Sequence, residues 1–228
     1  MAGIQIQGNG GTIAEVDPTY RGARVSSRPL EYVSGATTLG HYSYGGFTGV
    51  LPAALAANSE IYQFRWADAT RFAVIRRVRI SAAVSTTFFA AGVPVQVDLI
   101  KSTAWTVAGT LGTAITMSTN LKKKVGMGSS LLAAGDMRIS TTAALGAGTK
   151  TLEGLSLASL SVAGPITASL SGIIIPAGTV LFDIPVSDGD HPLILQANEG
   201  FSIRSVAVPA TGTWMAAISV DWAEVVSY

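Results

Sequence analysis

The sequence predicts an all-β fold, a jelly-roll or β-sandwich domain with an extended N-terminal arm, on three observations. Apolar residues recur with a period of two in run after run, the spacing that sends successive side chains to opposite faces of a strand. The runs are short and are divided by Gly, Pro, Asn and Asp, the residues of turns. No helical pattern alternates with them, which argues against the α/β classes. At 228 residues the chain is long enough for one large β domain that buries well over half of its surface without covalent staples.

Residues 1–32 read as the arm. Ile4 and Ile6 alternate with Gln5 and Gln7, glycines follow, and Arg21, Arg24 and Arg28 are interleaved with Glu15, Asp17 and Glu31. Such a segment has too few apolar residues for a core of its own, but it is suited to adding strand hydrogen bonds to a neighbouring sheet. Residues 33–228 read as the single domain, opening with "GHYSYGGF" from Gly40, expected as a Gly/Tyr loop. "EIYQFRWAD" sets Tyr62, Phe64 and Trp66 on one face, with Gln63 and Arg65 on the other. "RFAVIRRVRISAAVS" sets Phe72, Val74, Val78, Ile80, Ala82 and Val84 on one face, and "VPVQVDLIKS" does the same with Val93, Val95, Val97 and Leu99. A long Ala/Gly/Ser/Thr-rich loop region, about 105–172, is expected to hold several short strands with long connections and one short helix near Ser129 to Ala134.

Strand character returns at "GIIIPAGTVLFDIPV" and "HPLILQA". The closing stretch from Ala197 is expected to be a long hairpin turning at Pro209-Ala210-Thr211-Gly212, with Trp214, Ala216, Ile218, Val220 and Trp222 sharing the core-facing parity. In its first run Phe201 and Ile203 hold one phase and Val206 and Val208 the other, a slip that predicts a β-bulge near Arg204-Ser205. "LAANSEIYQFRW" and "LQANEGFSIR" each place Asn and Glu just before an aromatic strand, as two equivalent entry turns would.

Composition narrows the function classes. A net charge of +1 with 13% charged residues supplies no field for nucleic acid or an anionic membrane. Cysteine is absent, so disulfides and thiolate metal sites are excluded. The mean hydropathy of +0.43 at such low charge points to a surface partly covered by partners. "MAGIQIQGNGGT" has no secretory pattern, and the uncharged run from Gly154 to Phe182 is interrupted by Pro165 and Pro176, so no membrane span is expected.

The chemical inventory is small. His41 and His191 are the two histidines, and no nucleophile elbow, phosphate loop or zinc-protease motif is present, so no catalytic residue and no cofactor site are assigned. In "SDGDHP", Asp188, Asp190 and His191 offer too few ligands for calcium and read as a turn rather than a metal site. "LKKKVG" from Leu121 reads as a solvated loop tip. In "RRVR", Arg76 falls on the apolar face, so either a bulge turns it out or a carboxylate pairs with it. Arg71, Arg77 and Arg79 form a basic stripe which, with Arg21, Arg24 and Arg28 of the arm, is the candidate partner interface; a basic face that discourages edge-to-edge aggregation is the plainer reading. Trp66, Trp105, Trp214 and Trp222 would make either a sugar platform or core, and strand parity favours core for Trp214 and Trp222.

The opening "AGIQIQGNGGTIAEVD", the segment "LAANSEIYQFRWADATRFAVIRRV" and the closing "ANEGFSIRSVAVPATGTWMAAISVDWAEV" together resemble a family of structural proteins encoded by tailed bacteriophages. The resemblance covers most of the length and implies a β-rich virion component without catalytic residues. The expectation is a capsid decoration or cement protein, a homo-oligomer assembled in the bacterial host cytoplasm, that binds the major capsid protein or other virion proteins through its arm and a β-face. The alternative is a tail-associated or receptor-binding module that contacts host glycan.

Overall fold

The computed structural model describes residues 40–89, 94–117, 128–163, 172–183, 192–208 and 210–226. The arm with Arg21, Arg24 and Arg28 lies outside the described residues, as do Val93, the lysines of "LKKKVG", and Asp188, Asp190 and His191.

Thirteen strands are described: β1 (His41–Phe47), β2 (Leu51–Pro52), β3 (Ser59–Trp66), β4 (Phe72–Val84), β5 (Pro94–Val107), β6 (Thr113–Ile115), β7 (Met137–Ile139), β8 (Thr149–Leu152), β9 (Ala158–Ala163), β10 (Ile173–Asp183), β11 (Leu193–Leu195), β12 (Glu199–Ala207) and β13 (Thr213–Val225). They form two antiparallel sheets. The first runs β1-β13-β4-β10, with β2 also on β13 and β11 also on β4. The second runs β6-β7-β3-β12-β5-β8, with β9 also on β5. Along the chain β1, β4, β10 and β13 enter the first sheet, while β3, β5, β8, β9 and β12 enter the second. This interleaved order, in which each sheet's middle strands come from distant parts of the chain, is the jelly-roll form of a β-sandwich. Among the described residues no helix is long and apolar enough to cross a membrane.

One core fills the space between the sheets. Trp214, Ala216, Ile218, Val220 and Trp222 all face it and are buried, as their parity predicts, and so are Tyr62, Phe64 and Trp66 from the opposite sheet. The layers meet through rings: Trp222 stacks on Tyr42 at 5.7 Å and stands edge-on to Phe64 at 5.3 Å, and Phe64 stacks on Phe201 at 5.3 Å. Aromatic pairs in these offset and edge-to-face arrangements add to the hydrophobic term.

Several expectations are corrected. The closing stretch is no hairpin, because β12 lies between β3 and β5 in the second sheet and β13 lies against β1 and β4 in the first. Both strands already have partners on each side, so their connection crosses between layers. "GHYSYGGF" is not a loop but strand β1, in register with β13 from His41 opposite Ala223 to Phe47 opposite Ala217. Tyr42 and Tyr44 point inward there, and a Cβ on Gly46 would fall 1.9 Å from the Tyr44 hydroxyl, so the bare glycine leaves room for that ring. The helix near Ser129 to Ala134 is absent. Glu224 takes the local donors instead: Ser130 Oγ donates to its Oε1 at 2.5 Å and the Leu131 N–H to its Oε2 at 3.0 Å. A six-residue segment cannot offset the cost of helix nucleation against such competition.

The ambiguity at Arg76 resolves as a bulge. Trp222 pairs with Ile75 and Asp221 with Arg77, so Arg76 is the extra residue on β4. The phase before it is therefore reversed, and Ala73 and Ile75 join Val78, Ile80 and Ala82 in the core, in place of Phe72 and Val74. The slip in β12 is also present, with register shifts after Ile203 against β3 and after Ser205 against β5. The two entry turns are equivalent: Asn58 and Asn198 have φ of 64° and 63°, and the Ser59 and Glu199 N–H groups donate back to Ala56 and Gln196 carbonyls. Asn is among the few residues that occupy this left-handed region readily.

Candidate interaction surface

Strand parity carries the outer face of the first sheet as directly as it carries the core. Opposite the inward set, Thr213, Met215, Ala217, Ser219 and Asp221 of β13 face out, flanked by Arg77, Arg79, Ser81 and Ala83 of β4. Ser43, Gly45 and Phe47 of β1 and Ile173, Val180 and Asp183 of β10 complete this face. It is graded along the strands. At one end Phe47 and Ile173 are 73% and 55% exposed over a floor of Ala83, Ala217 and Ser81, and next to them Val180, 48% exposed, lies in register with Arg79. Two shallow depressions of about 320 Å³ each adjoin Phe47, one toward Arg79 and Gly178 and one toward Ile173 and Met215. At the other end Arg77 lies 3.1 Å from Asp183 and opposite Asp221, and between the two ends Arg79, beside Val180, makes no ion pair among the described residues. Isolated apolar side chains are ordinary on a surface, but a cluster on a floor of Ala, Ser and Gly is the form of a docking face.

The predicted stripe of Arg71, Arg77 and Arg79 is not continuous. Arg77 and Arg79 stand on the outer face, whereas Arg71 precedes the Arg76 bulge in the opposite phase. There its carbonyl accepts the Trp66 Nε1–H at 2.8 Å, and its charge acts on the Tyr42 phenol at the end of the core.

The outer face of the second sheet is built differently, because described residues between β5 and β9, among them Asp136, Gly146, Lys150 and Ser156, bond to its side chains. Trp105 packs against Gly200 of β12, where a Cβ would meet its ring at 2.6 Å. Arg65 donates from Nε to the Trp105 carbonyl at 2.6 Å and from its terminal nitrogens to Asp136 at 2.7 Å and Thr106 O at 3.2 Å. Glu60 accepts from Lys150, Gln63 and Ser202, and Lys150 Nζ sits 3.8 Å from the centre of the Trp105 ring. Asp98 accepts from Ser156 and Ser159 and lies 3.8 Å from Arg204. Burial raises the Asp136 pKa, against the pull of Arg65, and lowers that of Lys150, against the pull of Glu60. For Asp98 burial pushes upward, but the donated hydrogen bonds and Arg204 outweigh it and hold the carboxyl below its usual range. Sequence reasoning missed this polar layer. Its one visible sign was the row of polar residues, Glu60, Gln63 and Arg65, on a strand otherwise made of large apolar ones.

Among the described residues no three His, Asp or Glu side chains converge as a metal site. The fold and these faces define a jelly-roll domain in which, among the described residues, the second sheet's outer face carries a buried polar layer and the first sheet's outer face exposes Phe47, Ile173 and Val180. No protein-family model, curated protein or solved structure matches the chain.

Proposed function

We propose that the chain is a structural component of a tailed-phage virion, a capsid decoration or cement protein. It binds the major capsid protein or another virion protein through the outer face of the first sheet, together with the arm of residues 1–32. The bare apolar end of that face around Phe47 carries the reading, since an exposed cluster of this kind marks a protein contact. The sequence resemblance supplies the virion, and the jelly roll agrees with it only at the level of fold, an architecture used by both capsid and lectin domains. The glycan-binding alternative draws no support from the tryptophans, because Trp66, Trp105, Trp214 and Trp222 are all buried.

Sedimentation with particles of the phage that encodes the chain tests the proposal. The purified protein should load onto particles stripped of it, and deletion of residues 2–28 should reduce its occupancy without unfolding the domain. Failure of the full chain to bind any virion particle would contradict the reading.

A further inference from the structure

The buried cluster around Glu60 brings an amine, a carboxamide and a carboxylate together without any function so far assigned to them. Lys150 Nζ lies 2.5 Å and Gln63 Nε2 2.6 Å from the same atom, Glu60 Oε2. The Lys150 and Glu60 side chains are 2% and 7% exposed. Gln63 is held through its nitrogen, which also donates to Gly146 O at 3.1 Å, while its Oε1 is buried and has no hydrogen-bond partner. The glycine at 109 shapes the site around the carboxamide, since a Cβ there would fall 1.9 Å from that Oε1.

We propose that Lys150 and Gln63 become joined by an intramolecular isopeptide bond, with Glu60 as the proton relay. Glu60 takes one proton from the Lys150 ammonium, and the free amine attacks Gln63 Cδ. The attacking nitrogen gives up a second proton, which Glu60 relays to the departing Nε2 together with the first, so the Cδ–Nε2 bond breaks, the nitrogen leaves as ammonium, and a Cδ–Nζ amide remains. The Glu60 carboxylate is restored, and no oxidant, metal or nucleotide is consumed. Three features favour the step. Both nitrogens are held on one Glu60 oxygen, which brings the amine and the carboxamide into one site and places the relay between the nitrogen that loses protons and the nitrogen that leaves. Loss of solvent on burial disfavours the ammonium form of Lys150, against the pull of Glu60, in the direction a nucleophilic amine requires. Exclusion of water protects the acyl carbon from hydrolysis. The bond would tie the edge strand β8 to β3 across the intervening β12 and β5, a link no hydrogen-bonded ladder makes.

Intact-mass measurement and peptide mapping of the purified full chain test this directly. The expected mass is lower than the sequence mass by one ammonia, and digestion should yield a branched peptide that joins Gln63 to Lys150. Lys150→Arg and Glu60→Gln should each carry the full mass of their own sequences. The Asn9-Gly10 pair can also lose ammonia by cyclising, but that loss would persist in Lys150→Arg. An unmodified parent mass overturns the proposal, as does a loss that survives Lys150→Arg. A loss of water mapped to Glu60 and Lys150 overturns the assignment of Gln63. If the variants do not fold, the peptide map of the parent decides alone.

Discussion

The outer face of the first sheet presents Phe47, Ile173 and Val180 beside alanine and serine, whereas that of the second carries Glu60, Arg65 and Asp98 bonded to Lys150, Asp136 and Ser156. Both sheets bury the same kind of aromatic and aliphatic side chain on their inner faces. On the proposed reading, the difference separates the face that serves stability from the face that serves association. On the second sheet charged groups are buried and paired, whereas the Arg77–Asp183 pair of the first stays partly exposed. Small and apolar groups are left where another molecule can cover them. A buried ion pair adds less net stability than its Coulomb term, but losing one partner strands the other. A flat face of alanine and serine costs little to desolvate and admits close approach.

The shared core is the first place to break this comparison. Trp222→Ala should destabilise the fold by about 3–5 kcal/mol, the usual cost of removing a large buried aromatic. Trp222 touches both Tyr42 of its own sheet and Phe64 of the other. Urea unfolding measures the loss, and an unchanged midpoint would show that the two sheets do not share one core.

The polar layer of the second sheet is next. Arg65→Met strands the buried Asp136 carboxylate and should cost about 3 kcal/mol, as breaking a buried pair does. The double variant Arg65→Met with Asp136→Leu should recover much of that loss, because no charge is then left unpaired. Additive losses in the double-mutant cycle would contradict the coupling.

Alkaline titration probes the seam between the sheets. Burial and then the nearby Glu224 push the Tyr42 phenol up to about 12 from 10.0, and burial raises Tyr44 and holds Tyr62 well above the same value. The folded state therefore keeps protons that the unfolded chain releases above pH 10, so stability must fall as pH rises through that range. Tyr42→Phe should flatten the decline. A melting temperature independent of pH from 10 to 12 would show that these phenols are not buried as described.

Much of the fold was legible in the sequence, for identifiable reasons. The parity of Trp214 to Trp222 is uninterrupted, so period two located the core face of β13 directly. The positions of the Asn turns were legible because Asn58 and Asn198 sit at the same offset before their strands. Pairing was not legible, because alternation tells which face a residue takes and not which strand lies beside it. That is why β12 and β13 read as a hairpin though they belong to different sheets. The Arg76 bulge reverses phase with no Gly or Pro to mark it, which misplaced Phe72, Val74 and Arg71. The polar layer depends on contacts between residues as distant as Glu60 and Lys150, and no local pattern announces those.

The smallest stability effects belong to the outer face of the first sheet. Met215→Thr and Phe47→Ser should each shift stability by no more than about 0.5 kcal/mol, the range for surface changes away from special features. Thermal melts check this, and a larger loss at either position would mean that this face contributes to the fold as that of the second sheet does.

The most direct measurement compares binding by one variant from each side of the molecule. Leu155, between β8 and β9 of the second sheet, is 84% exposed and Phe47 is 73% exposed, so an aspartate at either position is solvated in the free protein. Occupancy on stripped virion particles is then measured for Phe47→Asp and Leu155→Asp against the parent. Loss of binding in Phe47→Asp alone, with parent-like melting for both, is the predicted result. Equal binding by the two variants, or loss confined to Leu155→Asp, would contradict the assignment of the first sheet's outer face as the docking surface.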